Sequence, residues 1–239
     1  MFAKLILIGF KIFNRLYSIG MIRTYLFFYD KYKYITDYSD IRKIKRIIKP
    51  GSVVVDGGAN VGFYTRLFSK LVGNQGLVIA FEPDPKNFEI LKKRTKKFSN
   101  VAIINAALSD KTGKLDLYIS EDLNVDHQTY DSGEIRKKIQ IDSFALDDYC
   151  KKNGVINVSF IKMDLQGYDA IALRGMQRTI LQNPDIIICC EFWPYGMKRA
   201  GVEPEDWLAE IKRYGFDYDN QQSGNEEYGY YKTLWLGIG

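Results

Sequence analysis

The chain has 239 residues, enough for one well-cored α/β domain with a short extension and too few for two full domains. Its 34 Lys and Arg against 29 Asp and Glu leave a net charge of +5, scattered along the chain without a nucleic-acid-binding motif, so DNA is not an expected partner. Cys150, Cys189 and Cys190 form neither a C-x-x-C pair nor an even set, which speaks against a disulfide scaffold and for reduced, buried thiols in a cytoplasmic protein.

In chain order, residues 1–29 come first. They are rich in Leu, Ile, Phe and Tyr, and their only charges are basic: Lys4, Lys11, Arg15 and Arg23. No uncharged run reaches the ~18 residues of a membrane span, and no small-residue cleavage site of the secretory kind follows. Two readings stand side by side. One is a basic amphipathic helix making peripheral contact with the inner face of an anionic membrane; the other is a helix packed over the following domain as a lid or dimer contact. The expected division is an extension over residues 1–36 and a single domain over 37–239, whose first helix, 37–49, is stopped by Pro50-Gly51.

A β-branched strand, Val53-Val54-Val55, then runs into Asp56-Gly57-Gly58-Ala59-Asn60-Val61-Gly62, with a helix predicted over 61–71. A second strand over 77–82 ends in Glu82; a helix over 85–97 and a third strand over 101–105 follow. This alternation predicts a parallel, doubly wound sheet with ligands at the carboxyl ends of its strands. The rhythm then changes. Residues 114–119 and 137–141 alternate like the strands of an inserted β-hairpin around a polar loop over 120–134. Asp142-Ser143 is expected to cap a helix running to about Lys152. A strand over 158–163, a helix over 169–181, a strand over 186–190 ending at Glu191, a helix over 205–214 and an antiparallel closing strand over 228–238 complete the pattern.

The turn after the first strand carries the chemistry. Gly58 and Gly62 let backbone pass close to a ligand, and Asn60 tolerates a positive φ. Glu82, 20 residues past Gly62, falls at the neighbouring strand end, where a carboxylate can accept both hydroxyls of a ribose. A dinucleotide site is the rival reading, but its pyrophosphate would be repelled by the acid-first turn. Asp56 suits a ligand bearing an ammonium and a sulfonium, which points to S-adenosylmethionine.

Beyond this turn the chain resembles the FkbM-family methyltransferases over roughly residues 50–237. The resemblance rests on Val55-Asp56-Gly57-Gly58-Ala59-Asn60-Val61-Gly62, Phe81-Glu82-Pro83, Asn105-Ala106-Ala107-Leu108-Ser109-Asp110, Ile141-Asp142, and Ile161-Lys162-Met163-Asp164-Leu165-Gln166-Gly167-Tyr168-Asp169 with Leu173-Arg174-Gly175 after it. Gln166 stands where the family pattern has Glu. The resemblance implies a Rossmann-like class I methyltransferase fold: a seven-stranded, mostly parallel sheet with one antiparallel closing strand and helices on both faces. It also implies methyl transfer from S-adenosylmethionine, commonly to a hydroxyl of a sugar or secondary metabolite. Asp56, Gly57, Gly58, Asn60 and Gly62 would then meet the methionine part, Glu82 the ribose, and Asn105 with Ala106 the adenine edge.

A sugar hydroxyl is a weak nucleophile and benefits from a positioned base. Asp164 and Glu191, at the ends of the two strands beside the first, are the candidates, Asp164 also reaching the cofactor; His127, the only histidine, could act from the loop above. Two carboxylates without a third ligand make no expected metal site. Trp193, Pro194 and Tyr195 could offer aromatic faces to a sugar ring or simply pack. The sequence therefore points to an O-methyltransferase acting on a saccharide, glycolipid or secondary metabolite, with methylation of RNA or protein, or ligand binding without catalysis, as alternatives. Its oligomeric state is not legible.

Overall fold

The computed structural model describes residue 17 and residues 20–120, 127–131, 133, 136–218, 223–224 and 230–237. Residues 1–16 of the expected extension and residues 121–126 of the hairpin loop lie outside these.

Two helices, α1 (Ile22–Thr36) and α2 (Tyr38–Ile47), precede β1 (Val53–Gly57). The order then runs α3 (Phe63–Val72), β2 (Leu77–Phe81), α4 (Pro85–Thr95), β3 (Val101–Ile104), β4 (Ala107–Leu108), β5 (Gly113–Ile119), β6 (Lys137–Phe144), α5 (Leu146–Asn153), β7 (Val158–Met163), α6 (Asp169–Arg174), α7 (Gln177–Gln182), β8 (Ile187–Phe192), α8 (Pro194–Arg199), α9 (Pro204–Arg213), β9 (Asp217–Tyr218), β10 (Ser223–Gly224) and β11 (Tyr230–Gly237). The main sheet has the order β10-β11-β8-β7-β1-β2-β3, and β9 also pairs along β11. Strands β3, β2, β1, β7 and β8 are parallel, and β11 closes antiparallel to β8.

Apolar runs place β1, β2 and β7 at the centre, because strands covered on both faces have no polar side to alternate. Val54, Val78 and Phe160 face Ile41, Ile44, Tyr64 and Phe68 of α2 and α3. Val55, Ile79 and Ile161 face Leu146, Leu173, Ile180, Trp207 and Ile211 of α5, α6, α7 and α9. The fold is three layers with the switch of chain direction beside β1, which opens a crevice at the carboxyl ends of β1, β2 and β7.

Three sequence expectations shift, each for a local reason. Helix α3 begins at Phe63 rather than Val61, because Asn60 (φ 50°) and Gly62 (φ 83°) hold left-handed turns and the Val61 N–H donates to Asn60 Oδ1 at 2.6 Å. Asp142 and Ser143 stay in β6: Ser143 pairs with Gly113 and Ala107, and the next helix starts after Ala145, whose N–H donates to Thr112 Oγ1. The single helix expected over 169–181 is broken at Gly175. A Cβ there would lie 2.0 Å from the Ser109 carbonyl oxygen, and the Gly175 carbonyl accepts the Asp147 N–H. Asp147 then accepts the N–H groups of Arg178 and Thr179, satisfying the start of α7. The inserted hairpin forms as expected, with β5 and β6 antiparallel and Leu117 opposite Ile139.

Candidate active site

The cleft begins where β1 ends. Gly58 turns with φ +74°, and a Cβ on it would stand 2.3 Å from the Asp164 carbonyl oxygen, so only glycine lets the turn close against the end of β7. The N–H groups of Gly58 and Ala59 both donate to the Phe81 carbonyl, tying the turn to β2. Immediately beyond lies Glu82, which is buried. Its Oε2 accepts the Asn60 N–H at 2.6 Å and its Oε1 the Asp84 N–H at 2.9 Å. Burial outweighs these donors and pushes its carboxyl up to about 8.

The β5–β6 hairpin leans over this end. Leu117, His127 and Thr129 line the cleft together with Glu82 and Asn87. His127 Nδ1 accepts the Ser120 N–H at 3.1 Å, so a neutral imidazole carries its proton on Nε2, 3.9 Å from Asp84 Oδ2. Asn105 lies behind the wall: its amide donates to the carbonyls of Glu82 and Pro83 and fixes the exit from β2, while Ala106 is fully buried and Ala107 lines the cleft.

The opposite end is built from charges. Strand alternation puts Asp56, Lys162 and Glu191 on one face of the adjacent strands β1, β7 and β8, the face that carries Val54, Phe160 and Cys189. Asp56 is fully buried. Its Oδ2 accepts the Thr65 hydroxyl at 2.6 Å, its Oδ1 has no hydrogen-bond partner, and burial raises its pKa against the pull of Lys162. Lys162 is buried with its Nζ 4.6 Å from the centre of the Tyr64 ring and 3.4 Å from Asp164 Oδ2. Burial would neutralise it; the charges of Asp164 and Asp56 prevail and raise its pKa.

Asp164 follows β7, half-buried at the cleft wall, and Gln166 Nε2 donates to its Oδ1 at 3.0 Å. Burial pushes its carboxyl up, but Lys162, Lys33 and the Gln166 hydrogen bond win and hold it below the ordinary value. Its neighbours behave oppositely. Asp169, which accepts the N–H groups of Leu165 and Glu191, is pushed by burial and by the Asp164 charge to about 7. Glu191 is raised well above the usual range by burial and by those two acids, and its buried Oε2 has no hydrogen-bond partner. The site thus sets a carboxyl held below its ordinary value beside two pushed above theirs.

Helix α1 closes this region from above. Lys33 pairs with Asp37 at 2.5 Å, and Asp37 accepts the Tyr64 hydroxyl at 2.7 Å. Tyr25 and Tyr29 pack on Val61 and Ile90, Asp30 pairs with Arg66 and Arg94, and the Tyr17 hydroxyl donates to Asn87.

A family model described as the methyltransferase FkbM domain matches residues 56–218, from the first acid of the turn to the end of β9. The chain belongs to the FkbM methyltransferase family. A 2-O-methyltransferase, NoeI, from Sinorhizobium fredii (strain NBRC 101917 / NGR234) is 28% identical over 151 residues, 56% of this chain; the match spans 61% of that protein's length. Among solved structures, an rRNA methylase from Streptococcus thermophilus superposes with a TM-score of 0.54 at 11% identity, covering 84% of this chain and 94% of the other. A Streptococcus mutans structure described as that of a methyltransferase, in complex with SAH, gives 0.51 at 9%, covering 84% and 97%. At these identities the likeness establishes the class I methyltransferase fold.

Within this FkbM domain the structure brings Gly58, Asn60, Glu82, His127 and Asp164 to one cleft. Asp56, Gly57, Gly62, Asn105, Ala106 and Glu191 stand around it rather than on its wall. Among the described residues no group of three or more His, Cys, Asp or Glu side chains is arranged to hold a metal. Sequence reasoning passed over Lys162, Asp169, Tyr64 and Lys33. The signal available for Lys162 was a lone charge inside the apolar strand Val158–Met163, a residue type that is seldom buried without a partner.

Proposed function

We propose that this FkbM-family protein transfers a methyl group from S-adenosylmethionine to a hydroxyl oxygen of a saccharide, glycolipid or other hydroxylated metabolite. One observation carries the reading: the Glu82 carboxyl is fixed by the Asn60 and Asp84 N–H groups at the cleft wall, beside the Gly58 turn and across from Asp164. Each Glu82 oxygen accepts a single backbone N–H and keeps acceptor capacity, which fits the two vicinal hydroxyls of a ribose. When bound, S-adenosylmethionine supplies an electrophilic methyl group on its sulfonium.

The residues divide the remaining work. Gly58 and Asn60 let backbone approach the methionine part. Asp56, held by Thr65 and balanced by Lys162, stiffens the turn from behind. His127 presents Nε2–H, a donor for the nucleoside rather than a base. Asp164, kept ionised, accepts the hydrogen bond of the acceptor hydroxyl, holds its oxygen in line, the step in which positioning contributes most, and takes the hydroxyl proton as the methyl–sulfur bond breaks and the oxygen–methyl bond forms. Tyr168 on the cleft wall and the Trp193-Pro194-Tyr195 turn, which packs at Gly196 against Gly167, offer apolar surface to a sugar ring. The similarity to a protein named a 2-O-methyltransferase supports an oxygen acceptor.

The test is methyl-labelled S-adenosylmethionine offered with glycans, glycolipids, RNA and protein, for the wild type and Asp164→Asn. Label in the carbohydrate fraction, with the variant binding cofactor near-normally but transferring roughly 100-fold more slowly, is the expected result. Label in RNA or protein overturns the acceptor class, and cofactor binding without transfer to anything overturns catalysis. Normal turnover by the variant removes Asp164 from its role.

A further inference from the structure

Helices α1 and α2 turn one face to the core and carry exposed apolar side chains on the other. Phe27 is 55% exposed, Ile35 76% and Tyr38 53%, values that buried-face positions such as Tyr25 (2%) and Ile44 (0%) make conspicuous on the same two helices. Three of the exposed rings lie under a basic group: Lys31 Nζ is 4.3 Å from the Phe27 ring centre, Arg42 is 5.8 Å from Tyr38, and Lys45 is 5.5 Å from Tyr34.

The charges are sorted as well. Between residues 20 and 50 the exposed charged side chains are Arg23, Lys31, Arg42, Lys45, Arg46 and Lys49, all basic. The acids of the same stretch are drawn inward: Asp30 to Arg66 and Arg94, Asp37 to Lys33 and Tyr64, and Asp40 to the Thr233 hydroxyl. The sequence before α1 continues the bias, since residues 1–16 carry Lys4, Lys11 and Arg15 and no acid.

We propose that this face docks the protein on an anionic lipid bilayer. Apolar side chains ringed by Lys and Arg on a helix lying in the interface plane are what such a surface retains: the rings and Ile35 enter the headgroup boundary while the basic groups meet lipid phosphates. No helix among the described residues is long and apolar enough to cross a membrane, so the contact is peripheral. The inner face of α1 covers the Val61 turn, so the docking face lies on the far side of α1 from that turn. The proposal is independent of methyl transfer, because vesicle binding is read without turnover.

The experiment is co-sedimentation of the full chain with phosphatidylcholine vesicles and with vesicles containing phosphatidylglycerol as well, at low and high salt. Binding to the anionic vesicles only, falling with salt, is expected. Each basic group near such a surface contributes roughly fivefold to affinity, so Lys31→Ala/Lys45→Ala should weaken binding about 25-fold. Phe27→Ser/Ile35→Ser should abolish it while leaving the thermal unfolding midpoint unchanged, because neither side chain is in the core. Equal binding to phosphatidylcholine alone, no binding to either vesicle, or variants that sediment like the wild type would each overturn the proposal. So would a wild-type dimer, indifferent to vesicles, that Phe27→Ser/Ile35→Ser converts to a monomer, since the face would then meet a second copy of this chain.

Discussion

At the β2 end of the cleft one acid, Glu82, is buried against backbone N–H donors alone; at the β7–β8 end a buried acid, Asp169, and two half-buried ones, Asp164 and Glu191, gather near Lys162 and Lys33. Both ends remove carboxyls from water, yet only Asp164 ends up more acidic than usual. The difference lies in the countercharge. Dipoles of N–H groups soften the burial of Glu82 without offsetting it, whereas the full charges of Lys162 and Lys33 more than offset the burial of Asp164. Asp164's charge in turn pushes Asp169 and Glu191 toward protonation. One end is built to bind neutral donors, and the other to keep a single negative charge in place.

Removing the lysine tests the charged end most severely. Lys162→Met keeps the volume but leaves the fully buried Asp56 without its cation and the half-buried Asp164 with Lys33 alone, and breaking a buried pair in this way costs about 3–5 kcal/mol. Urea unfolding should register a loss of that size near neutral pH. It should shrink on acidification: the stability contributed by Asp164, whose pKa is lowered on folding, is present above its unfolded value and vanishes as pH falls and the carboxyl takes a proton. A loss below about 1 kcal/mol would mean that the row Asp56–Lys162–Glu191 is not electrostatically coupled.

At the other end Glu82→Ala should weaken S-adenosylmethionine binding by about 100-fold or more, since the ribose loses its acceptor and the Asn60 and Asp84 N–H groups lose their partner. Unchanged affinity in a calorimetric titration would remove Glu82 as the ribose ligand. The wild type adds a pH signature. With its carboxyl at about 8, Glu82 is mostly protonated at pH 7, so a site that needs the ionised form should gain affinity as pH rises, by up to about tenfold per unit, and level off above 8. Glu82→Gln should flatten that limb. Folding stability runs the other way: the contribution of Glu82's raised carboxyl is complete below its unfolded value and is lost as pH rises through about 8.

The two ends were not equally legible. Glu82 could be read directly, because its position follows from two short-range rules, strand periodicity and the strand–turn–helix spacing that sets where β2 ends. The cluster around Lys162 could not. Asp164 and Glu191 were visible as strand-end acids, but what decides their protonation is burial, their own mutual charge with Asp169, a lysine two residues upstream of Asp164 on β7 and a lysine on α1, which only the packing of α1 over the sheet brings together. The tautomer of His127 was hidden at the same level, since the Ser120 N–H that its Nδ1 accepts depends on the conformation of a loop. Element boundaries slipped where a side chain or carbonyl from elsewhere intervenes, as the Ser109 carbonyl does at Gly175.

The finest test of the contrast sits at Gln166, where the resemblance leads one to expect Glu. Its backbone is left-handed (φ 54°), its carbonyl accepts the Tyr130 hydroxyl at 2.9 Å, and its amide donates to Asp164 Oδ1. The turn therefore aims the side chain at Asp164 whichever residue occupies it. Gln166→Glu would replace a donor by a second carboxyl about one hydrogen bond away, and two acids so placed share a proton rather than both ionise. Asp164 should lose its depressed pKa, and transfer should slow by about tenfold at pH 7 with cofactor affinity nearly unchanged. The rate should recover as pH rises and the pair loses its shared proton. If the variant instead transfers at the wild-type rate with the same pH profile, Lys162 and Lys33 alone hold Asp164 ionised, and the amide of Gln166 contributes only to the shape of the turn.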